Sequence, residues 1–184
     1  MFRQEPNRWK GFVLGIAGGA VGTVAMGGYW QALTAILGSD PRMETLDDGV
    51  DALEDTSLVG QQHTDEEGST AAVGRIAYEQ IADAPPESGE IKSLLSYEVH
   101  YGYGAAQGAL YGALTGDRGG RDVSDGVLFG TALWLLGDEG LVSLLGLAEG
   151  PGNYPGKQHV SRWGAHVVYG LATALTIKVL RKVL

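Results

Sequence analysis

No cysteine occurs anywhere in the 184 residues. Disulfide staples, thiolate metal sites and thiol nucleophiles are therefore excluded. Positive charge is scarce as well. Thirteen Lys and Arg stand against 22 Asp and Glu, a formal net charge of -9. A chain so short of basic side chains offers no face to a phosphate backbone, so no nucleic-acid partner is expected. Catalytic signatures are missing too: no nucleophile sits beside a base, and there is no phosphate loop and no zinc-protease helix. No enzymatic activity is expected.

Glycine is abundant instead, at 30 of 184 residues. That is about twice the usual share, and it has no collagen period. It concentrates in four apolar stretches at about 11–37, 91–115, 125–147 and 160–180, the first of them free of charge. Each exceeds the roughly 20 residues that cross a hydrocarbon core of about 30 Å. The first is expected to be a span rather than a cleaved leader, because its apolar run is too long. A soluble bundle is the competing expectation, and interior glycine argues against it, since soluble helices avoid it and membrane helices use it. The expected fold is all-α: a four-span transmembrane helical bundle, with residues 1–184 forming one membrane domain.

The acids concentrate in the long connection 38–90. Arg8, Lys10, Lys178, Arg181 and Lys182 flank the outer ends of the first and last stretches, and Arg118 and Arg121 fall in the second connection. This bias places both termini in the cytoplasm of a bacterial inner-membrane protein, with the acidic loop on the opposite side. Within the loop, Met43, Leu46, Val50 and Leu53 fall at helical spacing, as do Ala72, Val73, Ile76, Ala77 and Ile81. Residues 61–68 read as a solvated link.

Two motifs recur. Gly18, Gly22 and Thr23 match Gly126, Gly130 and Thr131 as Gly-x-x-x-Gly-Thr, and His100 to Gly104 matches His166 to Gly170 as His-x-x-Tyr-Gly. The order describes a two-fold pseudo-repeat of a two-helix unit, its copies pointing the same way. Gly104, Gly108 and Gly112 add a small-residue face in the second stretch. Such faces let backbones approach, within one chain or against another membrane subunit or a second copy.

Ionisable groups inside spans are costly and mark the candidate site. Counting about 1.5 Å per residue from the cytoplasmic ends puts His100, Asp138 and His166 at one level, roughly 21–24 Å in. His100, Tyr103, Gln107 and Tyr111 share one α-helical face; so do His166, Tyr169 and Thr173, and so do Thr131, Trp134 and Asp138. Glu98 and Glu139 fall off these faces. The expected site is a buried polar cluster of His100, Tyr103, Gln107, Asp138, Glu139, His166 and Tyr169. It would fix helix register, or carry protons as a His–Asp relay in a small channel or transporter. Metal ligation by His100, Asp138 and His166, and axial haem ligation by His100 and His166, are the lesser alternatives. No cofactor is expected.

These residues resemble the YagU-like group of bacterial inner-membrane proteins. The resemblance lies in His100-Tyr-x-Tyr-Gly104, Gln107-Gly-Ala-Leu-Tyr-Gly112, Phe129-Gly130 with Trp134, and Asp138-Glu139. It continues through Gly146-Leu147, Tyr154-Pro155, His159 and His166-Val-Val-Tyr-Gly170. Ser143 departs from it, where relatives are expected to carry proline. The resemblance covers the last three stretches. It implies an integral inner-membrane protein with a loose link to acid resistance and no defined activity.

Overall fold

The structure is a computed structural model that describes residues 6–44, 56–65, 67–116 and 122–184. Among the described residues there is no strand, and five principal helices follow one another: α1 (Arg8–Leu37), α2 (Ser69–Ala82), α3 (Gly89–Thr115), α4 (Asp122–Ala132) and α5 (Gly156–Val183). α4 runs directly into a π-wound segment, Leu133–Leu141, and one further α-turn, Val142–Leu144. Local chemistry explains the ends. Asn7 accepts from the Lys10 amide at 2.9 Å and caps the first turn of α1. Gly38 ends the helix in the left-handed conformation (φ 77°) that glycine adopts without steric cost. α2 stops at Asp83, also left-handed, two residues before Pro85-Pro86.

The described chain divides into two compact units. The first takes in Met1–Gly38, Gly102–Ala132 and Trp163–Leu184. Where its helices meet most closely, backbone meets backbone, beside a small buried core of Leu14, Tyr111, Ala174 and Ile177. Gly11, Gly15 and Gly19 of α1 abut Gly112, Gly108 and Gly104 of α3, so closely that a methyl group would strike main-chain atoms of the other helix at every one except Gly104, where it would strike the Thr23 side chain. Gly18 and Gly22 press on Thr173, Ile177 and Tyr169 of α5, and Gly126 and Gly130 press on Gly170 and the His166 carbonyl. The pairings run in opposite chain directions, so α1 is antiparallel to α3 and to α5, and α4 is antiparallel to α5. The Tyr169 hydroxyl donates to the Gly104 carbonyl at 2.6 Å and ties α5 to α3. Tyr111, Phe129 and Tyr169 stack along the seam between α3, α4 and α5. At one end Arg181 donates to Thr115 Oγ1 and the Gly116 carbonyl, and pairs with Asp122 beside Lys178.

Three of the four expected spans are helices long and apolar enough to cross a membrane: Arg8–Leu37, Asp122–Leu144 and Gly156–Val183. α3 has the length, 27 residues, but Glu90, Lys92, Glu98, His100 and Gln107 dilute its apolar character. The two copies of the repeat are not chemically equivalent. Tyr169 is 3% exposed, whereas Tyr103 is 49% exposed. Thr23 donates within α1 to the Gly19 carbonyl, whereas Thr131 accepts from the Trp163 indole of α5.

The second unit comprises Ser39–Tyr101 and Leu133–Arg162. Gln158 is fully buried, and its side-chain amide donates to the carbonyls of Pro41 and Arg42, which pins the chain leaving α1. Arg42 hydrogen-bonds Asp40 and holds its carboxyl below the usual carboxylate range. α2 packs through Ala72 and Gly74, the latter against Leu95 of α3, and Thr70 meets Ser96 at 2.8 Å. The described residues of the segment 61–68 are mostly exposed, as expected of a solvated link, and backbone bonds also tie it to a distant turn. The amides of Gln62 and His63 both donate to the Gly146 carbonyl, and Leu58 donates to that of Leu144. Of the first expected amphipathic stripe, Leu46, Val50 and Leu53 lie outside the described residues. In the second, Ala72 is buried but Ile81 is 88% exposed.

The glycine contacts carry a direct test. Gly108→Ala puts a methyl group into the backbone of α1, and Gly28→Ala meets nothing within 4 Å. In purified protein in mild detergent, Gly108→Ala should lose about 1–3 kcal/mol of stability. Gly28→Ala should be neutral or gain up to about 1 kcal/mol from helix propensity. Thermal unfolding followed by size-exclusion chromatography reads the difference.

Candidate functional site

The π-wound segment positions an acid, Glu139, that is bonded from two sides. In an α-helix Trp134 would face Asp138, four residues on. Bonds in a π-helix reach one residue further, i to i+5. Accordingly the Trp134 indole donates to Glu139 Oε1 at 2.9 Å, five residues on. The face assigned to Asp138 is thus occupied by Glu139, and this overturns the expectation that Glu139 falls off that face. The physical reason is the winding, which an α-helical count misses.

His159, in the first turns of α5, completes the site. Its Nδ1 lies 2.7 Å from the same Glu139 oxygen, and its Nε2 lies 3.1 Å from the Pro151 carbonyl. A carbonyl only accepts, so Nε2 carries a hydrogen and donates to Pro151. The ring thus bridges the Pro151 carbonyl and the Glu139 carboxyl. Tyr154 stands edge-on to the His159 ring, with the Arg162 guanidinium 4.0 Å over the Tyr154 ring centre. The pair is sheltered: the Glu139 side chain is 12% exposed and that of His159 is 24%.

A second histidine has the same arrangement. His63 Nδ1 lies 2.9 Å from the Gly146 carbonyl and its Nε2 lies 3.2 Å from Glu149 Oε1. Gly146 takes a φ of +63° and sits against the Gly60 carbonyl, where a side chain has no room. Next to it Arg75 bonds Glu67, Glu79 and the Gln62 carbonyl. Burial pushes the Glu67 carboxyl up, but hydrogen bonds from Arg75 and Thr64 outweigh burial and hold it below its ordinary range. The same bonds raise the Arg75 guanidinium further.

The residues expected to form one cluster are distributed as follows. Tyr169 is buried on the Gly104 carbonyl. His100, Gln107, Asp138, Glu139 and His166 are half-buried, and Tyr103 is exposed. The His100 ring stands edge-on to Tyr101, and the His166 carbonyl lies against Gly130. Trp134, Glu139 and His159 belong to the second unit, as do His100 and Asp138; His166 and Tyr169 belong to the first. Among the described residues no three His, Asp or Glu side chains converge in a way that would hold a metal ion. His63 has no local signal in the sequence because its partners, Gly146 and Glu149, lie far along the chain, whereas the Arg75 partners Glu67 and Glu79 are near it. His159 entered there through the family resemblance alone.

Two measurements follow. His159→Ala leaves the half-buried Glu139 without its imidazole and should cost about 1–3 kcal/mol in detergent unfolding, with His159→Gln milder because it restores one donor. The Glu67 contribution to stability is fully present above pH 4.5, its ordinary value, and is lost as pH falls through the lowered folded value. Protection of the Gln62 and His63 amides should therefore weaken below pH 4.5 in the native chain, and much less in Arg75→Ala.

A scan of protein-family models, a search of curated proteins and a search of solved structures each give no match. The likeness to the YagU-like group accordingly rests on the residues quoted above.

Proposed function

We propose that the chain is a non-enzymatic, multi-pass protein of the bacterial inner membrane. In this reading α1, α3, α4 with its π extension, and α5 all cross. Both termini are cytoplasmic, and the protein acts as a structural or accessory subunit through packed glycine faces. The observation that carries it is the inverted distribution of side chains in the first unit. Glycine, alanine and threonine line the helix contacts around a few large buried side chains such as Leu14, Tyr111 and Ile177, while Val13, Val21, Val24, Leu128 and Val179 are 47–69% exposed. Water disfavours such an apolar exterior. Lipid accepts it, and helices in lipid associate through small residues and van der Waals contact. The antiparallel pairings of α1 with α3 and of α4 with α5 fit four crossings. Trp9 and Tyr29 on α1 are about 30 Å apart along the axis, the span of a hydrocarbon core. They suit the two interfaces where aromatic rings collect. A proton-coupled channel is the second reading, favoured by the direct contact of the His159 imidazole with the Glu139 carboxyl.

The absence of cysteine makes the test clean. The chain should stay with membranes after an alkaline carbonate wash. Glu87→Cys should react with a membrane-impermeant maleimide in intact cells, and Val183→Cys only after lysis. Extraction by carbonate would sink the membrane assignment. Labelling of Val183→Cys in intact cells would mean three crossings and exclude α3.

A further inference from the structure

Two adjacent acids, a long π segment and a single pair of donors coincide at one place. The π segment spans nine residues, Leu133–Leu141, whereas π windings occur mostly as single-turn bulges. None of its side chains is buried, so no packed core locks its winding. It contains Gly137 and Gly140, which add no side chain to resist rewinding. Its N-terminal end is fixed by Trp134, whose indole selects an acid on the turn that follows. In the π winding that acid is Glu139 at i+5. In an α winding the residue on the same face is Asp138 at i+4. The sequence therefore carries an acid for either winding, side by side, and His159 waits on the same face for whichever arrives.

We propose that Leu133–Leu141 is a two-register element in which Asp138 and Glu139 exchange as the partner of Trp134 and His159. Rewinding from π to α moves everything after it by one residue, about 1.5 Å along the axis and about a quarter of a turn around it. The next structure along the chain is the turn at 142–147. That turn receives Leu58, Gln62 and His63 through the carbonyls of Leu144 and Gly146. Exchange of the two acids thus shifts the docking platform of the acidic segment. The element is bistable because each winding satisfies the indole and the imidazole, and an intermediate winding satisfies neither. Glu139 has one more methylene than Asp138, so the π register gives His159 the longer reach.

The full chain in mild detergent or nanodiscs, with 15N-labelled tryptophan, tests this through Asp138→Ala, Glu139→Ala and the double variant. The Trp134 indole N–H resonance, assigned by its loss in Trp134→Phe, reports whether the indole is bonded. Hydrogen exchange at Gln62 and His63 reports the docking. Glu139→Ala should keep the Trp134 bond, now to Asp138, while changing Gln62 and His63 protection by about tenfold or more. Asp138→Ala should leave both readouts as in the native chain. The double variant should lose the bond. Loss of the bond in Glu139→Ala alone, or failure of that variant to accumulate when Asp138→Ala does, would overturn the exchange. Retention of the bond with unchanged Gln62 and His63 protection would overturn its transmission to the acidic segment.

Discussion

The contact between the backbones of α1 and α3 is the constraint on which the first unit depends. Gly15 and Gly19 lie against Gly108 and Gly104, with no side chain between the helices. Dispersion is short-ranged, so this closeness makes the contact strong without any hydrophobic drive. It also sets what else is possible. Because α3 lies so near α1, the Gly104 carbonyl comes within reach of the Tyr169 hydroxyl, and Tyr111 and Phe129 can fill the seam behind. Little interior is left for large aliphatic side chains: Leu14 and Ile177 are buried beside Tyr111, and Val13, Val21, Val24 and Val179 turn outward.

The second unit is organised on a different basis, polar rather than steric. Histidines 63 and 159 each place both ring nitrogens on oxygen acceptors, Gln158 gathers the distant carbonyls of Pro41 and Arg42, and Arg75 reaches that of Gln62. The turn at Gly146 receives His63 through both its ring and its amide. Polar networks of this kind are rigid when every member is satisfied and costly when one is removed.

Legibility in the sequence divides along the same line. Helical periodicity and the four-residue spacing of Gly104, Gly108 and Gly112 are local patterns, and the helices and the face they mark could be read from residues alone. α1 needs two adjacent glycine faces, Gly11-Gly15-Gly19 for α3 and Gly18-Gly22 for α5, and only contact with two partners separates them. The acid pair was visible, but its orientation was not. An α-helical count assigns Asp138 to the Trp134 face, and one residue of extra winding gives the place to Glu139. His63 could not be read at all, because nothing local distinguishes a solvated histidine from one pinned to a carbonyl some eighty residues away.

The α1–α3 contact has a further consequence for biogenesis. Its two halves are separated in the chain by the whole acidic segment. At about 5–20 residues per second, the ribosome needs roughly 4–17 seconds between Gly19 and Gly104. Through that interval α1 holds a bare glycine face with no mate. Until α3 arrives, that face is open to any other small-residue helix, so the fidelity of assembly is set by translation timing as much as by the final fit.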